Sequence, residues 1–209
     1  MAIKITRPQG TEDVTPKQIY KWHTVERIAR ETAENFGFHE TRIPTFESTD
    51  LFLRSVGETT DVVQKEMYTV KAKETEFTLR PEGTAGTIRS ILQNGLLNDA
   101  LPQKVYYILS CFRHERPQAG RLREFHQFGI EMAGSQGPTS DAEIIALAKT
   151  ILDRAEAVET TVSRDRKDPE HLHIILIIGK GNERWFKDHG KHIPYEGDDR
   201  IVERVFRLK

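Results

Sequence analysis

Four arginines, Arg113, Arg116, Arg121 and Arg123, fall within eleven positions of the sequence. Arginine is the side chain that gives bidentate, permanently charged contact with phosphate, although a solvated basic turn carries the same residues. The segment that follows separates the two readings. In a strand starting at Phe125, the period of two places Phe125, Gln127, Gly129 and Glu131 on one face. A face turned to an apolar core seldom carries Gln and Glu on the same side as Phe. Beside arginines, Gln127 and Glu131 can hold a small cationic or amphoteric ligand next to a polyphosphate, while Phe125 stacks on a base. Activating a carboxylate with a nucleoside triphosphate has these requirements, because the charge that develops on the α-phosphate must be met by fixed cations.

A second constellation lies upstream, in Leu79-Arg80-Pro81-Glu82-Gly83-Thr84-Ala85-Gly86. It lacks the Lys-Ser/Thr ending of a P-loop, so a nucleotide site here is of another kind. Read structurally it is a turn and a helix start with Thr84 as N-cap. Read chemically, Glu82 is a carboxylate at a strand end, well placed to receive a ligand ammonium group. Metal chemistry has little support. The single cysteine, Cys111, cannot form a thiolate cluster, and His171 and His173 lack a third ligand nearby, so no metal-binding residue is assigned.

These residues need elements to hold them. A long amphipathic helix is expected from Thr15 as N-cap and Pro16 at the first helical position, with Ile19, Trp22, Val25, Ala29, Ala33 and Phe36 on its buried face and Gly37 as C-cap. Phe38 to Pro44 reads as an edge strand because of its proline, and a short helix covers Asp50 to Arg54. Met67–Val70 and Phe77–Arg80 suggest a hairpin. A helix with Ile88, Ile91 and Leu92 on one face should follow Thr84. Val105–Phe112 and Phe125–Ala133 are strands flanking the arginine-rich loop. Ser140 and Glu143 form a capping box for a helix with Ile144, Leu147, Ala148, Ile151 and Leu152 inward. This order does not alternate strictly, so an α+β fold on a mainly antiparallel sheet is expected. The expected domains are 1–157, and a tail over 158–209 with one strand candidate, His171 to Ile178.

With 31 Lys+Arg against 32 Asp+Glu in 209 residues, the net charge of -1 excludes global electrostatic attraction to nucleic acid and leaves only local patches. The lone cysteine fits a reducing compartment. The start has no apolar secretory stretch and no run is long enough to cross a bilayer, so a cytoplasmic protein with no membrane partner is expected.

Arg113-His114-Glu115-Arg116-Pro117-Gln118, continued by Phe125-His126-Gln127-Phe128-Gly129-Ile130-Glu131, resembles the second signature motif of class II aminoacyl-tRNA synthetases in its histidyl-tRNA synthetase form. Pro8-Gln9-Gly10-Thr11-Glu12-Asp13, Val56-Gly57-Glu58-Thr59-Thr60-Asp61 and Thr78-Leu79-Arg80-Pro81-Glu82-Gly83-Thr84 are similar to further stretches of that family. Phe36-Gly37-Phe38 through Pro44 resembles the first class II motif, which implies a homodimer through the segment around Pro44. The resemblance implies that Arg113, as the catalytic residue, contacts the α-phosphate of ATP, Glu115 the adenine edge, Phe125 the adenine face and Arg121 the distal phosphates. Glu82, Gly83 and Thr84 would meet the α-amino group of histidine, and Gln127 and Glu131 would line its pocket. Glu131 can accept from an imidazole N–H, which discriminates against side chains lacking that donor. The implied reaction forms histidyl-adenylate and passes histidine to tRNA(His), with Mg²⁺ accompanying the ATP.

The likeness runs over about residues 3 to 155 and fails past Ala157. The family's second histidine-specific segment, its third class II motif and its anticodon-reading domain find no counterpart. The expectation is an incomplete catalytic core with impaired activity: an N-terminal fragment, a frameshifted product or a degenerate paralogue. The alternative is the synthetase-like regulatory subunit of ATP phosphoribosyltransferase, which binds histidine without charging tRNA.

Overall fold

The structure, a computed structural model, describes residues 5–56, 66–116, 121–135, 137–165, 185–188 and 191–194. The chain forms two compact units, Met1–Lys167 and Asp168–Lys209. In the first unit the elements run α1 (Ile19–Asn35), β1 (His39–Glu40), β2 (Phe46–Ser48), α2 (Thr49–Val56), β3 (Thr69–Ala72), β4 (Thr75–Leu79), α3 (Thr84–Gln93), a 3-10 turn at Leu96–Asn98, β5 (Gln103–Phe112), β6 (Glu124–Ala133) and α4 (Pro138–Asp165). The second unit contains the hairpin β7 (Trp185–Asp188) and β8 (Lys191–Pro194). The expected strand at His171 to Ile178 lies outside the described residues, as do most of Val56 to Asp61 and residues 117–120.

The first unit is α+β, as the order of elements implied. β5 and β6 pair antiparallel over ten residues each, from Gln103 opposite Ala133 to Phe112 opposite Glu124, and β1 joins parallel at the edge of β5. A smaller antiparallel sheet runs β2-β4-β3. Alternation along the long hairpin builds two cores. Tyr106, with Phe128, Ile130 and Met132, packs against Ile28, Ala29 and Ala33 of α1 and Leu147 and Ile151 of α4. Tyr107, Leu109 and Cys111, with Ile43 and Phe125, form the cluster on the opposite face. Arg154 ties the two helices together by donating to the Thr32 hydroxyl at 2.8 Å and the Glu31 carboxylate at 2.7 Å.

Gly37 ends α1 as expected. At φ +79° it occupies the left-handed region, and the N–H of Phe38 returns to the carbonyl of Ala33 at 3.0 Å, closing a Schellman turn. The helix starts differ from expectation. Pro16 to Gln18 is a turn and α1 begins at Ile19; the Thr15 hydroxyl donates to the Gln18 side chain and caps no N–H, while the Thr15 carbonyl accepts from the N–H groups of Gln18 and Ile19. Thr84 is the first residue of α3, after an N-cap at Gly83, and the carboxylate of Glu82 does the capping. The capping box of Ser140 and Glu143 does not form. α4 opens earlier, at Pro138, the Ser140 hydroxyl pairs with that of Ser135, and Glu143 is drawn to Lys104 of β5 at 2.5 Å.

α4 also continues past Ala157 to Asp165. Polarity over 160–165 does not stop a helix, and the next breaker in the sequence is Pro169. The inward face of α3 is made by Ala85, Gly86, Thr87 and Ile91, small residues that let the helix sit close, and Leu92 is 61% exposed. β2 was not anticipated, being three residues long; the proline-bearing stretch is a strand only at His39–Glu40, with Pro44 exposed beyond it.

Leu147→Ala should therefore destabilise the first unit by about 2–5 kcal/mol in denaturant unfolding, and Leu92→Ala by less than about 0.5 kcal/mol. Equal effects would contradict the assignment of the α1–α4 core.

Candidate functional site

The β5–β6 face that carries Tyr107, Leu109 and Cys111 also carries Phe125, Gln127, Gly129 and Glu131, in cross-strand register with one another: Cys111 opposite Phe125, Leu109 opposite Gln127, Tyr107 opposite Gly129. The start of α3 lies over this face. The N–H of Gly83 donates to Gln127 Oε1 at 2.9 Å, and the same oxygen accepts from Cys111 Sγ at 3.3 Å. Burial pushes the Cys111 thiol up to about 12, so it stays protonated and donates. Glu82 Oε2 and Oε1 accept from the N–H groups of Thr84 and Ala85 at 2.5 and 2.9 Å, which neutralises two of the orphan donors at the helix start. Glu131 accepts from the Tyr107 hydroxyl at 3.2 Å, and the Thr84 side chain lies near it. Burial raises the Glu131 carboxyl above its ordinary range, the neighbouring Thr84 and Tyr107 hydroxyls oppose that rise, and nearby Glu82 adds to it.

The arginines divide by role. Arg113 leaves the end of β5, donates from Nε to the carbonyl of Pro81 at 2.9 Å, and lies with its guanidinium 5.2 Å from the centre of the Phe125 ring. Arg113 and Arg121 each approach the carboxylate of Glu115 at 3.6 Å from opposite oxygens. Arg123 turns away from this pair. Its Nε donates to the backbone carbonyl of Glu115, and its N–H donates to the carbonyl of Gly10 at 2.7 Å, which fixes the N-terminal stretch against the loop. The side chains predicted from sequence thus form two linked groups: Glu82, Gly83, Thr84, Gln127 and Glu131 in one, and Arg113, Glu115, Arg121 and Phe125 in the other.

Sequence reasoning gave no role to Arg80, which is 8% exposed. It donates from Nε to the carbonyl of Ser110 at 2.7 Å and from Nη1 to those of Ile43 and Pro44 at 2.8 and 3.1 Å. It joins the segment after β1, the end of β4 and β5 behind the site. Its partners are backbone atoms from distant positions, so the only trace in the sequence is a charged residue in a strand next to Pro81.

A family model described as histidyl-tRNA synthetase matches residues 10–163. The chain is 58% identical over 142 residues to a histidine–tRNA ligase of Clostridioides difficile, an alignment that covers 68% of this chain and 34% of that protein. Among solved structures, the apo histidyl-tRNA synthetase of S. aureus superposes with a TM-score of 0.59 at 37% identity, covering 71% of this chain and 34% of that one. A Bacillus halodurans structure described as an ATP phosphoribosyltransferase regulatory subunit/histidyl-tRNA synthetase shares the fold, with a TM-score of 0.61 at 23% identity over 74% of this chain and 39% of its own. The chain spans about a third of the length of the curated relatives it matches.

Arg80→Met should cost about 3 kcal/mol in denaturant unfolding, because it strands buried carbonyls that had a charged donor. Arg121→Met, at a side chain 63% exposed, should change stability by less than about 0.5 kcal/mol. The reverse order would contradict this division between the buried arginine and the exposed one.

Proposed function

Because the chain belongs to the histidyl-tRNA synthetase family, we propose that the β5–β6 face with the start of α3 is the N-terminal share of a site that activates histidine with ATP and passes it to tRNA(His). The observation that carries this reading is the convergence of Arg113 and Arg121 on one carboxylate, that of Glu115, beside a polar cluster built around Glu131. Two guanidiniums that meet on one anion are an arrangement suited to phosphate.

In this reading the carboxylate of histidine attacks the α-phosphorus of ATP, histidyl-adenylate forms and pyrophosphate leaves. Arg113 meets the charge that grows on the α-phosphate oxygens, where a fixed cation contributes most. Arg121 holds the distal phosphates, Glu115 turns to the adenine edge and Phe125 supplies a stacking face. Glu82, Gly83 and Thr84 hold the α-amino end of histidine, while Gln127 and Glu131 take the imidazole. Mg²⁺ accompanies the ATP.

The regulatory-subunit alternative needs histidine binding but no nucleotide-activating arginines, and the Arg113–Glu115–Arg121 group favours the ligase. The partner of the same chain is a second copy, joined through the segment around exposed Pro44, beside which Glu26, Arg30, Glu40 and Arg42 line an open cleft of about 460 Å³. No helix among the described residues is long and apolar enough to cross a membrane, and a cytoplasmic location belongs to this proposal.

Calorimetry on the full chain should detect both histidine and ATP, with Arg113→Ala weakening ATP by about tenfold or more, some 1.4 kcal/mol, and sparing histidine. Histidine binding with no response to ATP would favour the regulatory reading, and binding of neither ligand would overturn both.

A further inference from the structure

Tyr107 is 1% exposed and received no role from its sequence context. Its ring lies between two glycines from different elements, Gly83 at the start of α3 and Gly129 opposite it on β6. A Cβ at either position would overlap the ring, so glycine at both is the condition for the ring to lie there. A side chain that only filled this space would need no hydroxyl. The Tyr107 hydroxyl donates to Glu131 Oε1 at 3.2 Å, and the Thr84 side chain lies close to both. Burial raises the phenol far above its usual range, so at ordinary pH it serves as a donor.

We propose that Tyr107 is a positioning residue of the histidine pocket: clamped by Gly83 and Gly129, it commits one oxygen of Glu131 and so fixes the other as the acceptor for an imidazole N–H. The proposal rests on the histidine-binding reading given above. A carboxylate with one oxygen committed keeps one orientation, whereas a free one turns about its last bond and its N–H acceptor is not preset.

The groups that face Glu131 set the sign of its pH dependence. Tyr107 approaches from β5, and Thr84 and Glu82 approach from the start of α3. Burial and Glu82 favour the protonated acid, while the hydrogen bond from Tyr107 and the nearby Thr84 hydroxyl favour the carboxylate. Loss of the Tyr107 hydroxyl therefore raises the Glu131 midpoint, and on acidification the acceptor disappears at a higher pH. Protonation of free histidine is common to both proteins and cancels in the comparison.

The test uses Tyr107→Phe in the full chain, since phenylalanine keeps the ring between the glycines. Two readouts are needed: the carboxyl-carbon titration of Glu131 by NMR without ligand, and histidine affinity by calorimetry between about pH 5 and 8. The expected result is an upward shift of the Glu131 midpoint, about tenfold weaker histidine binding at neutral pH, and an acid limb of the affinity profile displaced upward. Gly129→Ala, which displaces the ring, should weaken histidine binding as well, whereas a merely structural Tyr107 would leave the Glu131 titration unchanged. If the wild type binds histidine and Tyr107→Phe binds it equally with the same pH profile, the role of Tyr107 is overturned and the site reading survives. If the wild type binds no histidine, the site reading falls and this role falls with it.

Discussion

The ten-residue antiparallel pairing of β5 with β6 is the constraint on which the rest of the first unit depends. Side chains alternate along both strands, so one register decides at once which residues meet α1 and α4 and which face the start of α3. Tyr106, Phe128, Ile130 and Met132 go to the helices, whereas Tyr107, Phe125, Gln127, Gly129 and Glu131 go to the candidate site. A slip of one residue would bury Gln127 and Glu131 against the helices and expose the aromatic core. The apolar contacts on one face therefore hold the polar constellation on the other. The core and the site are two readings of one alternation.

The polar groups on the site face are bound mostly to one another across elements. Gln127 of β6 takes the N–H of Gly83, Glu82 caps α3, and Glu131 takes the hydroxyl of Tyr107. Half-buried polar groups cost free energy unless paired, and this network pairs them without apolar substitution. It also holds the face in one arrangement, which in the histidine-binding proposal lowers the ordering cost of binding. Arg80 does the same work one layer behind, where its guanidinium gathers carbonyls from Ile43, Pro44 and Ser110 and so sets the end of β4 against β5.

Much of this was legible in the sequence because it is local. The β-branched and aromatic runs on either side of an arginine-rich loop specify a hairpin, and the period of two then places Gln127 and Glu131 beside Phe125. The end of α1 was legible from Gly37, whose φ of +79° only glycine adopts readily. What was not legible depends on distant partners. Ser140 and Glu143 have capping-box spacing, but Lys104 of β5 claims Glu143 and Pro138 opens α4 earlier. Tyr107 reads as one more aromatic in a strand, and only the approach of Gly83 and Gly129 gives it a defined place. The polar last turns of α4 resemble a linker in composition, and helix persists there because no breaker intervenes.

The central claim is that one face of β5 and β6, with the start of α3, receives histidine. Amide chemical-shift mapping of the full chain during titration with L-histidine tests it most directly. The account predicts perturbations at Gly83, Thr84, Gln127, Gly129 and Glu131, with the α1–α4 core around Ala33 and Leu147 unmoved. Shifts that cluster on that core or on the cleft beside Pro44, or no shifts at millimolar histidine, would contradict it.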